Sequence, residues 1–161
     1  MLRSGLLLVS VTFAAVALVL LGQAANATVL EIRGLHYLLA ACDPPAVIGG
    51  WLSALGAVRS RSAGPVPALL TVAAVALTLV AGVVLGDLAL GRVSPTSTLA
   101  AAFGSKPAWL AADAGTVVAL GSAALASARL CNRAARPLGA IWAAVIVATL
   151  CLRAIGGVWG A

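Results

Sequence analysis

Apolar runs too long for the core of a small soluble domain recur along the whole chain, at residues 6–21, 35–58, 66–90, 109–130 and 138–158. A run of roughly 18 residues or more reads as a membrane-crossing helix, because about 20 residues at 1.5 Å each span the hydrocarbon. In lipid every backbone polar group must be satisfied within its own segment, so such runs can only be helices. With 161 residues, 63% of them hydrophobic and 9% charged, the chain is expected to be an all-α, polytopic membrane helix bundle. It is expected to hold four transmembrane helices in residues 28–161, preceded by an N-terminal transmembrane helix or signal peptide in residues 1–27.

The N-terminal segment supports both descriptions. Arg3 precedes the apolar run 6–21, and Ala25-Asn26-Ala27 offers the small residues of a cleavage site. Either way residue 28 lies outside the cytoplasm. The formal charge of +6 is not a nucleic-acid signature, since no basic patch is interleaved with aromatics. Most arginines sit in two short connections instead, with Arg59 and Arg61 in one and Arg129, Arg133 and Arg136 around the other. Such an excess marks the cytoplasmic side of a membrane protein. The longer connection 91–108, with only Arg92 and Lys106, then falls outside, as does the C-terminus. Its middle, 96–103, has the start signal of a short interfacial helix in Ser94-Pro95. This is the pattern of a multi-pass protein of the plasma (inner) membrane. Gly82-x-x-x-Gly86 and Gly156-x-x-x-Gly160 have the spacing that lets helix backbones approach closely, and Trp109 and Trp159 suit an outer interfacial belt. Such patterns also arise by chance where glycine and alanine abound.

Within this scheme the second run stands apart. It contains the sole histidine, His36, together with Cys42, Asp43 and the pair Pro44-Pro45. A carboxylate at the centre of a spanning helix costs about 2.5–3.5 kcal/mol, which makes it a functional suspect. Each proline removes a backbone donor, and the residue before a proline avoids the α region, so a break or kink is expected at Asp43-Pro44-Pro45. Counting about 1.5 Å per residue places Asp87, Asp113, Arg153 and Asp43 roughly 4–12 Å inside the outer boundary. All four would share the outer half of the bundle, as an outward-facing polar pocket. Arg153 is the natural partner for a carboxylate, since its fork can bind one bidentately. The competing structural reading makes Asp87 and Asp113 interfacial, lets Arg153 reach outward, and leaves only Asp43 buried.

His36, Cys42 and Cys151 are the candidate metal ligands, and imidazole with thiolate suits Cu(I). The three cysteines, Cys42, Cys131 and Cys151, form no CxxC pair, so neither a zinc site nor a disulfide framework is indicated. Haem held by two histidines is excluded within one chain. Enzyme chemistry is not expected, since no serine–histidine–acid set, metalloprotease motif, Walker loop or paired catalytic carboxylates appear.

The run Leu35-His36-Tyr37-Leu38-Leu39-Ala40-Ala41, followed by Ile48-Gly49-Gly50, resembles the opening helix of the copper resistance protein D (CopD) membrane domain. The similarity continues in Ala81-Gly82-Val83-Val84-Leu85, in the connection 99–106 and in the helix ending Ala128-Arg129. It covers residues 35–136, and His36 is the polar motif residue that carries over. The resemblance implies a four-helix domain connected with copper handling. The expected function is thus handling or transport of copper or another small cation through the outward-facing pocket. A haem- or quinone-binding four-helix redox module and a non-catalytic accessory subunit of a larger membrane complex are the alternatives. The expected partners are the lipid bilayer and a small cation, with a homo-oligomer as a further possibility.

Overall fold

The computed structural model describes residues 1–25, 40–62, 64–90, 107–130 and 137–159. They form five α-helices: α1 Leu2–Ala25, α2 Asp43–Arg59, α3 Val66–Ala89, α4 Pro107–Leu130 and α5 Pro137–Trp159. The all-α expectation holds. Among the described residues three stretches are long and apolar enough to cross a membrane: Leu2–Gly22, Val66–Ala89 and Ala111–Leu130. The described part of α5 adds the shorter apolar stretch Pro137–Cys151. The second apolar run is not one unbroken helix. Ala40 and Ala41 are helical, Cys42 is a turn, and α2 starts at Asp43 and runs 17 residues.

That start has a local cause. Pro44 and Pro45 fall in the first turn of α2, where backbone N–H groups have no intrahelical acceptor to lose. The Cys42 carbonyl accepts the first bond, from the Ala46 amide at 3.2 Å. The predicted interruption at Asp43-Pro44-Pro45 is therefore a helix start.

The helices close into a ring. α1 packs on α2 and on α5, α2 on α3, α3 on α4, and α4 on α5. Leu6 and Phe13 of α1, Ala57 of α2, Leu70 of α3, Leu120 of α4 and Val145 of α5 belong to one buried cluster inside it. Outward, every helix exposes large apolar side chains, among them Leu18, Leu55, Leu79, Leu125 and Leu150. An apolar exterior around the whole circumference is unlike a soluble monomer, whose exposed apolar patches are limited. It suits lipid.

α1 and α2 approach closely through glycine. A Cβ on Gly5 would stand 2.5 Å from Ser53 Oγ and 2.6 Å from the Gly49 carbonyl oxygen, and one on Gly56 would collide with the backbone of Leu2. Gly5 meets Gly49 and Ser53 while Leu2 meets Gly56, so the two helices run antiparallel. The Ser53 hydroxyl donates to its own helix, to the Gly49 carbonyl at 2.7 Å, and thus enters this seam satisfied. The small-residue pairs singled out by spacing behave otherwise. Among the described residues nothing lies within 4 Å of a Cβ built on Gly82 or Gly86, so neither glycine seats a described helix. Their spacing is right, but their face of α3 is not the one turned to a described neighbour. The Gly156–Gly160 pair lies outside the residues with described side chains.

The end of α2 is capped tightly. The Ser62 amide bonds the Ala57 carbonyl and the Arg61 amide bonds the Val58 carbonyl, each at 3.1 Å. This is the Schellman pairing, which sets its central residue in the left-handed region and is normally completed by glycine. Arg61 occupies it with φ 49°, at a cost of order 1 kcal/mol for a residue with a Cβ.

Candidate functional site

The antiparallel run from α1 to α2, and the short turn from α2 to α3, fix which residues share an end of the ring. The start of α2, the end of α3 and the start of α4 lie together. Ala40, Val80, Val84 and Ala112 form a small apolar cluster there, separate from the main core, with Val83 and Leu88 packed against it. Cys42 and Asp43 follow Ala40, Asp87 follows Val84, and Asp113 follows Ala112, so all four gather at this end.

Their surroundings differ. Asp87 is buried, at 5% exposure, and sits in the last turn of α3. The partial negative charge of a helix C-terminus disfavours an anion at that place. Asp43 is half-buried in the first turn of α2, where the helix dipole favours a carboxylate. Its Oδ2 is nonetheless enclosed and has no hydrogen-bond partner among the described residues. A buried carboxylate oxygen left without a donor is expensive, and native structures seldom leave one so without reason. Asp113 is half-buried in the second turn of α4.

Polar groups between these carboxylates and the middle of the bundle are satisfied locally. Thr116 Oγ1 donates to the Ala112 carbonyl at 2.9 Å, and Thr78 Oγ1 to that of Ala74 at 2.8 Å. Trp51 of α2 donates from Nε1 to Thr78 Oγ1 at 3.1 Å, tying α2 to α3, and Trp142 of α5 donates to the Val117 carbonyl at 3.1 Å, tying α5 to α4. These two bonds hold the acidic rim in register with the core below.

The remaining candidates are less fully placed. Cys42 is half-buried beside Asp43, and Cys151 is exposed on α5. Arg153 lies on α5 with its side chain outside the described part, and His36, Cys131 and the segment 96–103 lie outside the described residues altogether. Among the described residues no trio of histidine, cysteine or carboxylate side chains is grouped to hold a metal ion. At the opposite end of the ring stand the described arginines Arg3, Arg59, Arg61 and Arg129. Spacing alone missed two features: the glycine seam that joins α1 to α2, and the left-handed arginine at the end of α2. Gly49-x-x-x-Ser53 carried a signal for the first, and the sequence Arg-Ser-Arg-Ser-Ala-Gly-Pro for the second.

No family model, curated protein or solved structure matches this chain.

Proposed function

We propose that the protein is an integral membrane protein of the plasma (inner) membrane, with all five helices crossing and the arginine end cytoplasmic, that binds and passes a small cation or proton at its acidic end. The observation that carries this reading is the Asp43 carboxylate, with Oδ2 enclosed and no hydrogen-bond donor to it among the described residues, at the end of the bundle that also holds Asp87 and Asp113. A bound cation or proton would meet the enclosed oxygen of Asp43, at the end of the bundle where Asp87 and Asp113 add negative charge. Carboxylate oxygens are hard donors and favour a proton or a hard metal ion. Copper, to which the residues around His36 point by resemblance, would draw on His36, Cys42 and Cys151 instead. The chemistry is binding and passage, with no covalent step on the protein.

The test is ion flux into proteoliposomes of the purified protein, read separately for H⁺, Na⁺ and Cu⁺, with metal content measured on the same preparation. Asp43→Asn should lower flux of the active ion roughly tenfold or more, since affinity at oxygen sites follows the number of charged ligands. It should leave membrane insertion intact. Flux unchanged by Asp43→Asn and by Asp87→Asn would remove the reading.

A further inference from the structure

The end of the ring opposite the carboxylates carries charge of one sign. Among the described residues it holds Arg3, Arg59, Arg61 and Arg129, all exposed, and no acidic side chain. Three of the four arginines stand at one corner. Gly56 seats the backbone of Leu2, and Arg59 Nη1 donates to Met1 Sδ at 2.9 Å. The first turn of α1 and the last turn of α2 are thereby held together, with Arg3 and Arg61 each within two residues of the contact. Ser60 Oγ donates to the Ala57 carbonyl at 3.2 Å and lies 2.9 Å from Ser62 Oγ, so the two hydroxyls brace the turn around Arg61.

The backbone at Arg61 is a second and independent pointer. It is the one non-glycine residue with positive φ among the described residues, at a cap position that glycine fills without strain. Strain retained at a single exposed residue points to a use for its side chain. We infer that this corner binds the phosphodiester of an anionic phospholipid through the guanidinium groups of Arg3, Arg59 and Arg61. Guanidinium forks match phosphate oxygens bidentately. The inference rests on the bundle spanning a membrane, since that places the α1–α2 corner at headgroup level. There each basic side chain strengthens attraction to an anionic surface by about fivefold. The lipid is favoured over a free anion because its phosphate is already concentrated at the depth where these helices end.

The full chain, purified in neutral detergent, is titrated with phosphatidylglycerol or phosphatidylcholine, and bound lipid is read by native mass spectrometry. Phosphatidylglycerol should be retained in preference. Arg61→Gly should lower its affinity about fivefold while raising the melting temperature without added lipid by about 2–4 °C, so that unfolding cannot explain the loss. Arg129→Gln, on α4, which packs chiefly on α3 and α5 and lies away from the α1–α2 corner, should lower affinity clearly less than Arg61→Gly does. Equal retention of the two lipids overturns the proposal, as does undiminished phosphatidylglycerol binding by Arg61→Gly. An equal loss in Arg129→Gln would show diffuse charge in place of a site, and displacement of the lipid by millimolar inorganic phosphate would show a free-anion site; either overturns it. Cation flux of Arg61→Gly should match that of the unchanged protein, because the acidic rim is at the other end. The two proposals therefore fail separately.

Discussion

Asp43 and Asp87 meet the same problem from opposite ends of a helix. Asp43 has the dipole of α2 in its favour and one oxygen enclosed without a donor among the described residues, whereas Asp87 is buried where the dipole of α3 opposes it. Replacing Asp87 with Asn keeps its shape and most of its hydrogen-bonding capacity and removes a buried charge at an unfavourable helix end, so it should change stability by no more than about 1 kcal/mol. Asp87→Leu discards the side chain's hydrogen-bonding capacity too, and should be the worse of the pair by about 1–2 kcal/mol. Thermal unfolding in detergent ranks the two, and the reverse order would mean that the hydrogen bonds of the Asp87 side chain add nothing to stability. The tryptophan bonds are a milder matter. Trp51→Phe loses the bond to Thr78 at an exposed position and should cost about 0.5–1.5 kcal/mol.

Among the elements, the α1–α2 seam and the Gly82 face of α3 make opposite claims on glycine. Gly49 lies against Val9 and the Gly5 carbonyl, with a built Cβ reaching only 2.9 Å and 3.0 Å from them, while Gly82 has nothing within 4 Å among the described residues. Gly49→Leu should therefore force α1 and α2 apart and destabilise the fold by about 1–3 kcal/mol or more, the usual effect of overpacking. Gly82→Leu adds a side chain where there is room and also gains helix propensity, so it should be neutral or stabilising by about 1 kcal/mol. Loss of folded yield for Gly49→Leu beside normal yield for Gly82→Leu is the expected pair of outcomes in a detergent-resistant folding assay. Equal tolerance would mean that α1 does not sit on α2 as described.

Across the whole molecule charge is divided by end. Acids gather where α2 begins, α3 ends and α4 begins, and arginines gather where α1 begins and α2 and α4 end. If arginine excess sets orientation, the two ends lie on opposite faces of the membrane. A cysteine at Gly64 and another at Leu90, introduced singly with the native cysteines replaced, should then react with a membrane-impermeant maleimide from opposite sides of sealed vesicles. Reaction of both from one side would break the alternating path of the chain. Each helix packs on its neighbours in sequence, and the last returns to the first.

The all-helical architecture and the interruption at Asp43-Pro44-Pro45 were legible from residue order alone. Hydrophobic run length and proline chemistry are properties of the chain that no neighbour can alter. The sequence could not say which glycines carry a close contact, because spacing defines a face but not what that face meets. Only the tertiary ring assigned that role to Gly5, Gly49 and Gly56 and withheld it from Gly82 and Gly86. Nor could it say that Asp43 would have one oxygen enclosed and that Arg61 would take a backbone conformation suited to glycine. Burial and strain belong to the packed arrangement, in which helices far apart in sequence settle how much room and how many hydrogen-bond donors each side chain finds.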